Sequence, residues 1–438
     1  MPFARFRRLA ASTVAVALGT TGLAACGSSD DTAESGPVTL TYWAWAPGTE
    51  KAVDLWNKGP GKEAQITVNY KKQVGGDPLI TKILTAHKAK KAPDLVQAEY
   101  QALPTLVSND AVADISSKVD GVDSDFAEGV WQQTTLGTDA VYAIPQDSGP
   151  MMFFYREDMF KKYKLTVPTT WDEFAETART LKEKAPDKYL TTFSANDSGL
   201  FAGLSQQAGA QWWTTSGDKW KVAIDDAPTQ KVADFWGGLV KEGAIDNQPM
   251  YSPAWNKALN TGEQIAWVSA VWAPSALVTA APDTKNKWAM APLPQWSASD
   301  GMLTGSWGGS STAVTTDSKH QDAAVKFIKW LNTDPESLTT LAKEGGIYPA
   351  ATTAQTSEAF QEPPAFFSNQ SDYYPQASRI AEQTAPSAWG PNVNVAYSTF
   401  NDAFGTAAKN KSDFGAALQK MQEATVADLK KQGFEVAE

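Results

Sequence analysis

Seventeen tryptophans, two histidines and one cysteine set the chemistry open to this 438-residue chain. Catalysis of the Ser-His-Asp or Cys-His kind needs a histidine oriented beside its nucleophile. His87 and His320 fall in or beside helical stretches among charged neighbours, which reads as exposed surface rather than a catalytic setting. A zinc centre needs three or four ligands, and the histidines and cysteine do not supply them. Asp120, Asp123 and Asp125 lack the glycine and distal glutamate of a calcium loop. Gly308-Gly309 does not match a phosphate-binding loop. No metal and no cofactor is therefore expected. The tryptophans exceed what a core normally needs. Their flat apolar rings, with the paired hydrogen-bond sites of carboxylates and amides, suit binding rather than turnover.

The lone cysteine has a different context. Arg5, Arg7 and Arg8 precede a small apolar run over residues 9–18, the length of a signal-peptide core and too short to span a bilayer. Leu23-Ala24-Ala25-Cys26-Gly27 follows and resembles the lipobox of bacterial lipoproteins. Residues 1–25 are expected to be a cleaved signal peptide, with Cys26 carrying the lipid anchor. Arg7-Arg8 is also the pair of a twin-arginine signal, but its flanking pattern is poor. Residues 26–36 read as the lipidated cysteine and a tether, since none past the cysteine is apolar and larger than alanine. The formal charge of −11 includes the three leader arginines, so the mature chain is more acidic still. That disfavours nucleic acid and anionic headgroups. No other stretch is apolar enough to be a membrane helix.

The elements that must position the rings follow from periodicity. Residues 38–45 alternate as a strand, 49–58 as a helix, 66–73 as a second strand, 77–90 as a second helix and 93–97 as a third strand. This is the start of a parallel α/β sheet, whose ligands sit beyond the carboxyl ends of its strands. The pattern restarts with a strand at 151–155. Thr170-Trp171-Asp172-Glu173 is a capping box opening a helix to 184. Further helices are expected at 198–209, 227–242, 273–281, 322–332 and 412–431. Further strands are expected near 189–194, 263–270, 287–291 and 312–316.

Ordered segments carry a resemblance. Ala92-Pro93-Asp94-Leu95-Val96, Ala143-Ile144-Pro145-Gln146-Asp147 with Phe154-Tyr155-Arg156, and Pro168-Thr169-Thr170-Trp171-Asp172-Glu173-Phe174 occur in sequence, as do Ala291-Pro292-Leu293-Pro294 and Gly305-Ser306-Trp307-Gly308-Gly309. Together they resemble the bacterial extracellular solute-binding proteins of family 1, which include maltodextrin-binding proteins. Arg156 departs from the asparagine more usual there. The resemblance implies an α/β, two-lobed, periplasmic-binding-protein-like clamshell of type II with ligand in the interlobe cleft. It places one lobe at 37–146 plus 300–352 and the other at 147–299 plus 353–438, with crossings near 145–150, 293–302 and 350–362. It also implies capture of a carbohydrate, a di- or oligosaccharide, by hinge closure and its delivery to the permease subunits of an ABC importer. The protein would be a monomer, lipid-anchored on the extracytoplasmic face of the cell membrane.

A sugar lays its C–H faces on aromatic rings and turns its hydroxyls to carboxylates and amides. In the two-lobed frame such groups fall at strand ends and crossovers. Trp45 leaves the first strand, and Glu99 and Tyr100 end the third. Gln146 and Asp147 lie at the first crossover, and Gln206 at the opening of the second lobe. Trp272 follows the 263–270 strand. Trp307 and Gly308 stand in a glycine-rich turn, and Trp389 in a loop before a late helix. These are the expected ligand-binding residues. Trp56, Trp171, Trp236 and Trp330 fall on helix faces and read as core, and so does Trp43.

Other ligand classes fit the same frame less well. A peptide or amino-acid binder favours a charged clamp for the termini, which tryptophan-rich loops do not suggest. Tyr373-Tyr374 is the kind of pair that binds ferric chelates, but it stands without histidine support. A secreted glycoside hydrolase needs two carboxylates at a defined separation, and no motif places such a pair.

Overall fold

The computed structural model describes residues 36–217, 219–355 and 357–437; the expected signal peptide, Cys26 and tether to residue 35 lie outside the described residues. The chain forms a mixed sheet with strand order β2-β1-β3-β9-β4-β7. Its strands are β1 (Val38–Ala44), β2 (Ile66–Lys72), β3 (Leu95–Glu99), β4 (Ile144–Arg156), β5 (Trp213–Ser216), β6 (Lys219–Val222), β7 (Ala266–Ala270), β8 (Trp288–Ala291) and β9 (Ser306–Val314). β1 pairs parallel with β2 and β3, as the strand–helix alternation predicts. β9 runs antiparallel to β3 and to β4. β5 and β6 form a separate hairpin.

One long strand, β4, links the two parts of the sheet. β4 pairs with β9 over residues 144–150, and then with β7 and β8 over residues 151–156. Ser306, at the start of β9, pairs with Pro150 of β4. Pro349 and Ala351 bridge back to Asp147 and Phe126.

The helices that matter for the site are α1 (Thr49–Lys58), α2 (Asp77–Lys88), α3 (Trp171–Lys184), α4 (Ser198–Gln207), α5 (Ala227–Glu242), α6 (Ala273–Ala280), α7 (Gln321–Thr333), α8 (Pro335–Gly345), α9 (Val393–Asn410) and α10 (Gly415–Lys431). The capping box of α3 is formed: Thr170 accepts from the Glu173 N–H, and the Glu173 carboxylate reaches back to the Thr170 N–H. Three expectations fail. No strand forms at 189–194; Tyr189 and Thr192 make only single bridges, to Gln264 and Asp246. The 305–309 stretch is not a turn, because β9 begins at Ser306 and keeps bonding through Gly309 to β4. His87 is buried, not exposed, and its Nδ1 lies 3.2 Å from an Asp317 oxygen.

Most of the tryptophan surplus is core. Trp56, Trp171, Trp213, Trp236, Trp255, Trp267 and Trp288 are fully buried. In the second lobe the rings pack edge to face, Trp171 with Phe174 at 5.2 Å and Trp255 with Trp267 at 5.1 Å. Such pairs add about 0.5–1.5 kcal/mol each beyond their buried area. Trp330 is half-buried and tilts against Trp56 at 5.2 Å. Trp43 lies half-buried away from the cleft, with the Lys82 ammonium 4.5 Å from its ring.

Candidate functional site

A cavity of about 440 Å³ lies where the crossing strands meet, within the range of about 300–1,000 Å³ typical of small-molecule sites. The first lobe supplies the exit of β1 (Trp45, Ala46, Pro47), the end of β3 (Glu99) and Gln101 just beyond it. The crossing strands supply Asp147 and Ser148 of β4 and Ser306 to Ser310 of β9. The second lobe supplies the start of α4 (Asn196 to Gly199), Tyr251, Trp272, Trp389, and Tyr397 with Asn401 on α9.

Glycines allow the rings to lie this close. A Cβ at Gly75 would stand 2.8 Å from the Trp45 ring, and one at Gly199 would stand 2.8 Å from the Trp307 ring. Trp45 is half-buried against the chain behind it, with one face left to the cavity. Trp307 meets Trp272 edge to face at 4.9 Å, and the Trp272 indole N–H donates to the Trp307 carbonyl at 2.9 Å. Trp267 anchors both from the core, at 5.7 Å and 6.3 Å. These rings are held by packing and not by loop flexibility.

Two wall carboxylates are perturbed. Asp147 is raised to about 6 by burial, offset in part by Ser310, whose N–H donates to Oδ1 at 2.6 Å and whose hydroxyl donates to Oδ2 at 3.0 Å. Asp197 is raised to about 7 by burial, offset by the Leu200 and Gly199 N–H groups and by Trp307. It is the N-cap of α4. Tyr251 is 48% exposed as a whole, but its hydroxyl end is enclosed beside Asp197, and that enclosure and the Asp197 charge push the hydroxyl well above its ordinary range. Tyr251 sits at φ 63, a left-handed backbone that a bulky residue adopts only where its surroundings hold it.

Of the residues expected at the site, Trp45, Glu99, Asp147, Trp272, Trp307, Gly308 and Trp389 share this cavity. Three stand behind its wall. Tyr100 is buried, and its hydroxyl donates to the Asp147 carbonyl at 2.9 Å. Gln146 is fully buried, because its position in β4 turns it to the opposite face from Asp147, where it accepts from Thr312 at 3.0 Å. Gln206 is buried on α4 and accepts from the Ser306 N–H at 3.0 Å. None of the three is on the cavity wall, so each can act on a ligand only through a neighbour. Asp197, Tyr251, Tyr397 and Asn401 were not anticipated. A signal existed for three of them: Asn196-Asp197-Ser198 is a helix start, and Tyr397 and Asn401 are spaced i, i+4, hence on one helix face.

The cavity joins rings, carboxylates and amides, the set that holds a polyhydroxylated ring. The family profile described as bacterial extracellular solute-binding protein matches residues 39–337. A lactose-binding protein of Rhizobium radiobacter is 26% identical over 347 residues, covering 76% of this chain and 79% of that protein. An arabinooligosaccharide-binding protein of Bacillus subtilis (strain 168) is 23% identical over 321 residues, covering 70% and 72%. Among solved structures, the galacto-N-biose-/lacto-N-biose I-binding protein of the ABC transporter from Bifidobacterium longum, in complex with lacto-N-biose, aligns with a TM-score of 0.83 at 27% identity, over 92% of this chain and 100% of that one. A binding protein from B. animalis subsp. lactis Bl-04 in complex with β-1,6-galactobiose aligns with a TM-score of 0.81 at 25% identity, over 91% and 99%.

Proposed function

The chain belongs to the bacterial extracellular solute-binding protein family, and from that premise we propose that it captures a di- or oligosaccharide in the interlobe cavity and delivers it to an ABC importer. One observation carries the choice of ligand: Trp45, Trp272, Trp307 and Trp389 share a single cavity with Glu99, Asp147, Asp197, Gln101, Asn196 and Asn401. Rings on several walls suit more than one sugar unit. Trp45 comes from the first lobe and Trp272 and Trp389 from the second, so closing the hinge sandwiches the ligand between them. The lobes in this reading are 37–146 plus 300–352 and 147–299 plus 353–438.

The protein acts by binding, not by turnover. Asp147 and Asp197 hold raised values, as a glycosidase acid does. Each, however, already caps the protein's own donors, at Ser310 and at the start of α4. The lipid anchor at Cys26, the cell-membrane location and the monomeric state complete the proposal. Among the described residues no helix is long and apolar enough to cross a membrane.

The test is a tryptophan-fluorescence and calorimetric titration against lactose, galacto-, arabino-, malto- and chito-oligosaccharides, amino acids, peptides and ferric citrate, with product analysis for cleavage. Saturable binding of one saccharide series without hydrolysis is expected. Response to a peptide or chelate alone would overturn the ligand class, and cleavage would overturn the binding role.

A further inference from the structure

The two enclosed carboxylates occupy the places where an acidic ligand would be held. The start of an α-helix offers free N–H groups and the positive end of its dipole, a ready site for a carboxylate, sulfate or phosphate. In α4 that position faces the cavity, but Asp197 fills it: the Leu200 N–H donates to Asp197 Oδ1 at 3.3 Å, and Gly199 contributes a second N–H. Across the cavity Ser310 offers an N–H and a hydroxyl, and both go to Asp147. No lysine, arginine or histidine is among the described residues lining the cavity. The influences that set Asp147 and Asp197 are burial and hydrogen bonds, with no cation among them.

Resting on the saccharide reading, we propose that the cavity selects by charge: it takes uncharged and amino-bearing saccharides and rejects uronates and sulfated or phosphorylated sugars. The carboxylates have lone pairs left for sugar hydroxyls and for an ammonium group, and the indole faces beside them add attraction for a cation. A ligand carboxylate meets no cation on this wall and is brought, stripped of water, against like charges.

Matched triplets test this: cellobiose, galactobiose, lactose and maltose, each with its 2-amino-2-deoxy counterpart and its C6 uronate. Calorimetry at pH 7.5 is expected to show the acidic member of the bound triplet at least about 100-fold weaker than its neutral twin. An acidic member within tenfold of the neutral one overturns the proposal. If neither a triplet nor any saccharide of the wider panel binds, the saccharide reading fails; whenever no triplet binds, charge selection is decided by quenching. Caesium is expected to quench the emission of the cavity tryptophans more than iodide does. In a double variant, Asp147→Asn with Asp197→Asn, iodide should gain access and caesium lose it. Equal quenching by both ions in the wild-type protein, or no change in the variant, overturns charge selection whatever the ligand.

Discussion

Burial raises the Asp197 carboxyl from 3.8 to about 7, so its ionised form is an expense the folded state carries for the site. The unfolded chain releases this proton near pH 4 and the folded chain near pH 7. Between those values the folded state holds the extra proton, and its stability falls as pH rises through the window. The upper bound of the effect is about 4 kcal/mol, reduced because solvent reaches the cavity. Asparagine caps a helix as well as aspartate does. Asp197→Asn is therefore expected to raise the Tm at pH 8 and to match the wild type near pH 4, where both side chains are neutral. A gap independent of pH would show that the carboxyl is not perturbed. The two rings separate differently. Trp45 is half-buried, so Trp45→Ala is expected to weaken saccharide binding about 10- to 100-fold, or roughly 1.4–2.8 kcal/mol, with little change in Tm. Trp307 is 6% exposed and wedged between Trp267 and Trp272. Trp307→Ala is expected to lose binding and also about 3–5 kcal/mol of stability in urea unfolding.

At the scale of elements, Gln97 of β3 ties three strands to the site. Its Nε2 donates to the Ser310 hydroxyl at 2.8 Å, so that oxygen keeps its own proton for Asp147. Its Oε1 accepts from the N–H groups of Trp45 and Ala46, both at 3.0 Å. One buried amide thus fixes a carboxylate on β4 and a ring at the exit of β1. Gln97→Met fills the volume but leaves two buried N–H groups unpaired, each costing about 1–3 kcal/mol. The variant is expected to unfold at lower urea and to bind more weakly than Trp45→Ala does; wild-type affinity would show that the amide is only a core residue. Nothing in the sequence marks Gln97, because its partners lie 213 and about 50 residues away. Local signals were legible where local physics decides. Thr170 and Glu173 announce α3, and the alternation of Val38, Leu40, Tyr42 and Ala44 against outward-facing residues announces β1. The start of β9 was misread because Gly308 and Gly309 look like a turn. Their φ values of 79 and 92 do suit glycine, but pairing with β4 keeps them within the strand, beside a register shift at 148–150. The surplus of tryptophan pointed to the cavity, yet most of it fills the cores, since composition counts rings without saying which face they turn. Trp45, Trp272, Trp307 and Trp389 could be picked because each stands at a strand end or beside a proline or glycine. Asp197 showed in the sequence only as a helix start, since Trp307 comes to it from 110 residues along the chain, and nothing local marks Tyr251, which only the fold brings to the cavity wall.

For the whole molecule, the direction of β1 sets where the proposed anchor would pull relative to the site. β1 enters the sheet at Val38 and leaves it at Ala44, and the cavity begins one residue later at Trp45. Seven residues at about 3.3 Å each separate the two ends by roughly 20 Å. An anchor at Cys26 would therefore pull on the end of the strand remote from the cavity and leave the mouth of the cleft open. From Cys26 to the first described residue, Gly36, an extended chain reaches at most about 35 Å. Such a leash would hold the protein near a permease and raise the effective concentration of loaded protein there. Among the described residues those lining the cavity run from Trp45 to Asn401. Cys26→Ser is thus expected to leave saccharide affinity unchanged while moving the protein from the membrane fraction to the medium. Uptake at low sugar concentration should fall with it and recover when sugar is plentiful. Fractionation, calorimetry and radiolabelled uptake on the same strain separate these effects. If the serine variant stays with the membrane, the anchor lies elsewhere. If it leaves the membrane and uptake persists, the leash is dispensable for delivery.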